Sequence, residues 1–321
     1  MPGMIILPNK LVLLLIIMAT FLLPGSGEVF ASPGQGSVAI LLSDSDEAYR
    51  QQATTFSEDL GLPTQVFNLH GDIQNDPGLK DKLLAGQPIL IYALGAKAAF
   101  AAKLWTKERQ DIPVLFAMVL NWQRYDLLEG NSNIAGIAAE ISPGTQFVNM
   151  TMFSPAVKRI GLLYSPYSAT LLVLARKEAA QLGLELVAEP IERSKEFRSG
   201  FKKLSGRVDA FWVLNDPVLY TLENLGWLEE RCLKEKLLCV GQNQNLAKMG
   251  LTLTVNPDVT QIGIQSAALA RNILLHGQKV SEIKVMEPLS TQLFLNLKTA
   301  ERIGLAIPQQ AQNMATTVLG Q

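Results

Sequence analysis

Cysteine and histidine are scarce in this chain: Cys232 and Cys239 are its only cysteines, and His70 and His276 its only histidines, among 321 residues. The histidines lie far from the cysteines in sequence, so no close-spaced metal-ligand set is visible. Nothing near His70 makes it part of a catalytic triad, and it reads as a surface residue of the loop Leu69-His70-Gly71-Asp72. Enzyme signatures are missing too: there is no G-x-S-x-G elbow, no H-E-x-x-H pair, no P-loop and no full G-x-G-x-x-G. Neither catalysis nor a cofactor is implied. Charge of one sign is also lacking. With 28 basic and 29 acidic side chains the net charge is -1, which leaves no electrostatic footprint for nucleic acid. Beyond Leu23 no apolar stretch is long enough to span a bilayer.

What is present begins at the first residues. Lys10 precedes an apolar run from Leu11 to Leu23, followed by Pro24-Gly25-Ser26-Gly27 and then Val29-Phe30-Ala31. A basic residue, a short hydrophobic core, a helix-breaking turn and small residues at the cleavage point predict a secretory signal peptide over residues 1–31, cut after Ala31. The other reading, an uncleaved anchor, needs a longer run, since a spanning helix takes about 20 residues. No cysteine near the cleavage region offers a lipid attachment point. The expectation is a freely diffusing periplasmic protein. In that oxidising compartment Cys232 and Cys239 can form a disulfide. As free thiols they would behave as small buried hydrophobes, the reading slightly favoured, because sequence does not reveal whether their Cα atoms approach within about 7 Å.

After residue 31 the chain alternates short apolar runs with helical patterns. Strands are predicted at Val38–Leu42, Pro63–Leu69, Pro88–Leu94 and Pro113–Val119, with helices at Glu47–Leu60 and Ala96–Trp105. The helix Thr145–Phe153 ends this series at Ser154-Pro155. The pattern restarts with strands at Arg159–Tyr164, Glu185–Pro190, Asp209–Leu214 and Leu237–Gly241, separated by helices near residues 170–182, 195–204 and 219–234. Continuous apolar strands between amphipathic helices mean parallel sheets covered on both faces. Two series of about four strands predict an α/β protein of two doubly wound parallel-sheet domains.

That architecture points to the loops outside the strand carboxyl ends, where such sheets bind ligands. They are Ser43-Asp44, Gly95-Ala96, Asn121-Trp122, Ser165 to Ser168, Asn215-Asp216 and Gln242-Asn243. Polar, small and aromatic, they suit a small polar ligand. Free N–H groups at Gly95-Ala96 and the Ser165 and Ser168 hydroxyls are candidates for a ligand carboxylate, although both serines also serve as ordinary helix caps. Asp216 can pair with a ligand ammonium, or act with Pro217 as a turn and N-cap combination; Asp44 is a weaker candidate of the same kind. Trp122 and Tyr167 fall in opposed loops and can sandwich a flat ligand. Asn121, Gln242 and Asn243 can hydrogen-bond a ligand or merely solvate their loops.

Several stretches resemble the substrate-binding proteins of ABC transporters with the type I periplasmic-binding fold, and within them the branch with tryptophan- and tyrosine-binding members. The tail Leu293-Phe294-Leu295-Asn296-Leu297-Lys298-Thr299-Ala300, continued by Ile303-Gly304-Leu305-Ala306-Ile307-Pro308, is similar to that branch's "INLKTAKALGLTIP". Lys158 to Tyr164 is similar to "KRVGVLYNP", and Asn133-Ile134-Ala135-Gly136 to "NITG". The resemblance covers residues 37 to 308. Asp216 then aligns with the acid of the "PPDNT" loop. The loops Leu120-Asn121-Trp122-Gln123 and Gln242-Asn243-Gln244-Asn245 depart from the family pattern where ligand would be read.

The resemblance implies a three-crossing hinge, with crossings near 137–155, 252–257 and 283–288, and a ligand cleft between the lobes. It places residues 36–145 plus 256–282 in an N-terminal lobe and 146–255 plus 283–321 in a C-terminal lobe. It further implies a monomer that binds a small molecule, such as an amino acid or related metabolite, and delivers it to an ABC permease in the inner membrane. The alternative is a sensory co-receptor that signals to a membrane sensor without transport.

Overall fold

The computed structural model describes residues 36–320; the expected signal peptide, residues 1–31, lies outside the described residues. Strand β1 (Val38–Leu42) is buried at every position, as a strand covered on both faces must be. Helix α1 (Glu47–Leu60) starts at Asp46, whose carboxylate accepts from the Ala48 N–H at 2.8 Å, and stops at Gly61 in the left-handed region. Then come β2 (Thr64–Asn68), α2 (Leu79–Ala85), β3 (Leu90–Leu94), α3 (Ala96–Trp105), β4 (Val114–Ala117) and the three-residue β5 (Ile134–Gly136). These strands form one five-stranded sheet, ordered β2-β1-β3-β4-β5 and parallel throughout.

A second series follows. Its elements are α4 (Pro143–Phe153), β6 (Arg159–Tyr164), α5 (Ala169–Gln181), β7 (Glu185–Pro190), α6 (Phe197–Leu204), β8 (Ala210–Trp212) and α7 (Leu222–Glu235). They continue with β9 (Leu238–Gly241), α8 (Gln244–Lys248), β10 (Leu253–Pro257), α9 (Val259–His276), β11 (Thr291–Asn296), α10 (Leu297–Arg302), α11 (Gln309–Met314) and β12 (Thr317–Leu319). The second sheet has seven strands, ordered β12-β11-β10-β9-β8-β6-β7. All its pairs are parallel except β10 with β11. The sheets thus hold five and seven strands where about four each were expected. The stretch 252–257, expected as a connection, is itself strand β10.

Alternating side chains give each sheet two cores. In the first sheet Ile40, Tyr92 and Leu115 pack with Phe56 of α1 and Ile262 of α9, while Leu41, Ile91 and Phe116 pack with Ala98 and Ala102 of α3. In the second sheet Ile160, Trp212 and Val255 face Phe147 and Met150 of α4, while Leu163, Phe211 and Val213 face Phe201 of α6 and Leu228 of α7. Helix α9 therefore follows a strand of the second sheet yet packs on the first. The chain passes between the sheets three times, after β5, after β10 and before β11. Two of these passages run side by side: Met286 N–H donates to Gly136 O and Ala138 N–H to Met286 O, each at 2.9 Å. Among the described residues no helix is long and apolar enough to cross a membrane.

Cys232 and Cys239 are joined in a disulfide, with Cα atoms 6.2 Å apart. This corrects the reading of two free buried thiols. The reason is local: α7 ends at Lys236 in the left-handed region (φ 52°), and this tight reversal brings the last helical turn beside the start of β9. Closing a loop this short stabilises a fold by about 2.5 kcal/mol in the chain-entropy account. Urea unfolding of oxidised and thiol-reduced protein should therefore give separate midpoints, the oxidised form unfolding later; coincident curves would show that the bridge adds nothing.

Candidate functional site

The carboxyl ends of β1 and β3 build a self-contained corner. Ser43 is buried, and its Oγ accepts from the Ala98 N–H at 3.0 Å, tying β1 to the first turn of α3. Gly95 precedes that helix with φ +88°, and a Cβ there would stand 2.5 Å from both Ser43 Oγ and the Tyr49 hydroxyl oxygen. Only glycine fits both the backbone and the space. The Asp44 carboxylate accepts from Asp46 N–H at 2.8 Å, within its own loop. Burial, then Asp44 and Asp46, push the Tyr49 phenol up, against a hydrogen bond with Ser43. Ser43, Asp44, Gly95 and Ala96 shape the strand ends but line neither the cavity nor the groove found where the two halves meet.

In the second half the organising group is Asp216, 2 % exposed. Its Oδ2 accepts from the Ser165 and Ser168 hydroxyls, each at 2.7 Å, and from Ser165 N–H at 3.2 Å. Its Oδ1 accepts from Val218 N–H at 3.0 Å and Leu219 N–H at 3.3 Å. Five donors use the capacity of a carboxylate. The expectation of an ammonium partner at Asp216 meets a group already saturated by its own loops, and the Ser165 and Ser168 hydroxyls are spent on it. Asp216 locks the loop after β6 to the loop after β8.

The halves meet at Asn121, just after β4. Its backbone is left-handed (φ 48°), a conformation asparagine tolerates better than most residues. Its N–H donates to Glu140 Oε2 at 2.8 Å and its Nδ2 to the carbonyl of Tyr167 at 2.8 Å. Nearby the Arg124 guanidinium lies 4.1 Å from the centroid of the Tyr167 ring. Tyr167 is thus stacked by a cation, not by Trp122, whose ring turns back onto Phe116, 6.2 Å away, at the edge of the first sheet's α3-side core. The expected Trp122–Tyr167 sandwich does not assemble because the short 3-10 turn Trp122–Tyr125 sends Trp122 onto Phe116 and Arg124 onto the Tyr167 ring.

A small cavity of about 30 Å³ lies at this junction, lined by Asn121 and Gln123 from one side, Glu140 from the first connection, and Ser168, Thr170 and Asn215 from the other side. Asn215 and Leu214 also border a larger apolar groove of about 370 Å³, walled by Leu120, Tyr167, Val213, Tyr220, Leu246 and Met249, with Asp216 and Asn243 on its margin. Gln242 Oε1 accepts from Asn215 Nδ2 at 3.4 Å, and Gln242 Nε2 is buried without a partner. Of the residues expected at the site, Asn121, Ser168 and Asn215 come together at the cavity, and Tyr167, Asp216 and Asn243 at the groove. Ser165, Trp122 and Gln242 line neither.

Glu140 was missed. Burial pushes its carboxyl above the usual range, opposed by hydrogen bonds from Asn121 N–H and the Asn215 side chain. The available signal was its isolation: no other charged residue occurs between Glu129 and Lys158. Among the described residues no His, Cys, Asp and Glu cluster could hold a metal ion.

The saturated Asp216 carries a stability consequence. Asp216→Asn turns a five-fold acceptor into a group with one acceptor oxygen and two donors, leaving buried hydroxyls and N–H groups unpaired. A loss of about 2–4 kcal/mol is expected, read as a lower urea midpoint. An unchanged midpoint would mean that the loops do not depend on this carboxylate.

A family model described as ABC transporter substrate binding protein matches residues 63–319. No curated protein matches the chain. Among solved structures, the ligand-free, open structure of CD0873 from Clostridium difficile, a substrate binding protein with adhesive properties, is 20% identical. It aligns over 89% of this chain and 100% of its own with a TM-score of 0.73. An ABC domain from Streptococcus pneumonia in complex with L-Trp is 20% identical over 88% of this chain and 100% of its own, with a TM-score of 0.58. A periplasmic ribose ABC transporter protein from Conexibacter woesei is 14% identical over 87% and 97%, with a TM-score of 0.55. The two mainly parallel sheets form a type I periplasmic-binding-protein-like fold. The chain belongs to the ABC transporter substrate-binding protein family, whose members are the non-catalytic, ligand-binding components of those transporters.

Proposed function

We propose that this protein is the periplasmic solute-binding component of an ABC importer, exported by its first 31 residues and holding an amino acid or related small metabolite where the two halves meet. The observation that carries this reading is the junction at Asn121, where a polar cavity drawn from both halves and the first connection opens beside an apolar groove. A ligand with a polar head and an apolar body fits that pairing. Residues 36–145 plus 256–282 and residues 146–255 plus 283–321 act as two lobes hinged at three connections. Closure around the solute then creates the surface that an inner-membrane permease recognises. The L-Trp bound by the Streptococcus pneumonia relative supports an amino acid as the first class to try.

A thermal-shift screen of the twenty amino acids, common sugars and inorganic anions tests the class. A true solute at 100 times its dissociation constant adds about 2.7 kcal/mol of stability and raises the melting temperature by several degrees. Stabilisation by sugars or anions and by no amino acid would overturn the amino-acid assignment.

A further inference from the structure

We propose that Glu140 is the counter-charge for a protonated amine on the solute, so that the transported class is small amphipathic amines whose apolar body lies in the adjoining groove. This rests on the reading that the solute sits at the junction, and adds the group that selects it.

Four observations support the assignment. Two acidic side chains border the cavity and the groove, and Asp216 has no acceptor capacity left. Glu140 accepts one hydrogen bond, from the neutral Asn121 N–H at 2.8 Å, against about four acceptor sites on a carboxylate. Glu140 takes part in none of the ion pairs among the described residues. The guanidinium brought to this junction, that of Arg124, is laid over the Tyr167 ring. A carboxylate enclosed without a cation is costly to a fold, and a ligand cation removes that cost on arrival.

The geometry also says what the rest of the solute meets. The cavity is too small for more than a head group, whereas the groove that shares Asn215 and Leu214 with it is large and apolar. A solute with a carboxylate and no amine would bring a second negative charge to Glu140. Glu140 also accepts from Asn121, whose side chain holds Tyr167 of the opposite half. A cation there strengthens the contact between the halves.

The test is calorimetric titration of the purified protein with two matched sets of probes: 2-phenylethylamine, L-phenylalanine and 3-phenylpropionate, and isoamylamine, L-leucine and 4-methylpentanoate. At least one amine-bearing probe should bind, and the matching amine-free acid should bind about tenfold or more weakly. Glu140→Gln should weaken the amine probe about tenfold or more. Thr170→Trp, which fills the cavity from its rim, should weaken every probe. If Thr170→Trp blocks binding and Glu140→Gln does not, the junction stands and the role of Glu140 falls. If Thr170→Trp leaves binding intact, the junction reading itself falls. Binding of the amine-free acids alone, or of no amine probe, overturns the amine class.

A ligand-free readout accompanies it. The Glu140 carboxyl is raised above its ordinary value of 4.5 by burial, so its ionised form costs the folded state stability. That cost is absent below pH 4.5, grows as pH rises towards the raised folded value and is complete above it. Glu140→Gln should therefore melt higher than the wild type at pH 7, with the difference fading towards pH 4.5. A lower melting temperature at pH 7 would show that the charge is structural and overturn the assignment.

Discussion

Contact between the halves depends on how the chain leaves β4. Met118 and Asn121 both adopt left-handed backbone there, at φ 57° and 48°, and the reversal points the Asn121 amide at Glu140 and its side chain at the Tyr167 carbonyl. A longer or straighter exit would carry Asn121 past the opposing loop, and the cavity would lose its first wall. Most residues pay for such a backbone with strain, whereas asparagine does so at small cost. The polar cavity, the Arg124–Tyr167 stack and the mouth of the apolar groove all sit within a few residues of this turn.

Two carboxylates near the junction illustrate how environment divides one chemistry into two roles. Asp216 is surrounded by donors that its own half supplies, two hydroxyls and three N–H groups, and it acts as the knot of two loops. Buried polar networks of this kind rigidify when complete. Glu140 sits on a connection between the halves, where the nearby Arg124 guanidinium is laid over the Tyr167 ring and no ion pair among the described residues includes Glu140, and burial works against its charge. The first arrangement makes a firm wall and the second leaves an electrostatic demand that the protein itself does not meet.

Much of the fold was legible because buried apolar runs are unambiguous. The strands Val38–Leu42, Arg159–Tyr164 and Glu185–Pro190 lie at the limits read from sequence. Ile134–Gly136 and Thr317–Leu319 were not read as strands, since three residues give no period to detect. Thr291–Asn296 had enough length, but as the lone antiparallel partner of β10 it breaks the strand–helix rhythm that guided the reading. The site was less legible. Sequence names the strand-end loops but not where each side chain turns, so Asp216 looked available when its own loops claim it, and Trp122 looked opposed to Tyr167 when it packs on Phe116. The disulfide needed a distance that only the turn at Lys236 creates.

A binding protein that closes on its solute must have open and closed forms of similar free energy, and a ligand shifts them only by its differential affinity. If the halves completed all their own polar contacts, closure would not need a solute and an empty protein could present itself to the permease. An acid left without a cation at the meeting point guards against that. It penalises a junction that excludes water without supplying positive charge, and the penalty disappears for a solute that carries it. In the proposed reading, selectivity and the link between loading and closure both follow from one unpaired charge. The firm wall around Asp216 keeps the groove beside it in shape while this happens.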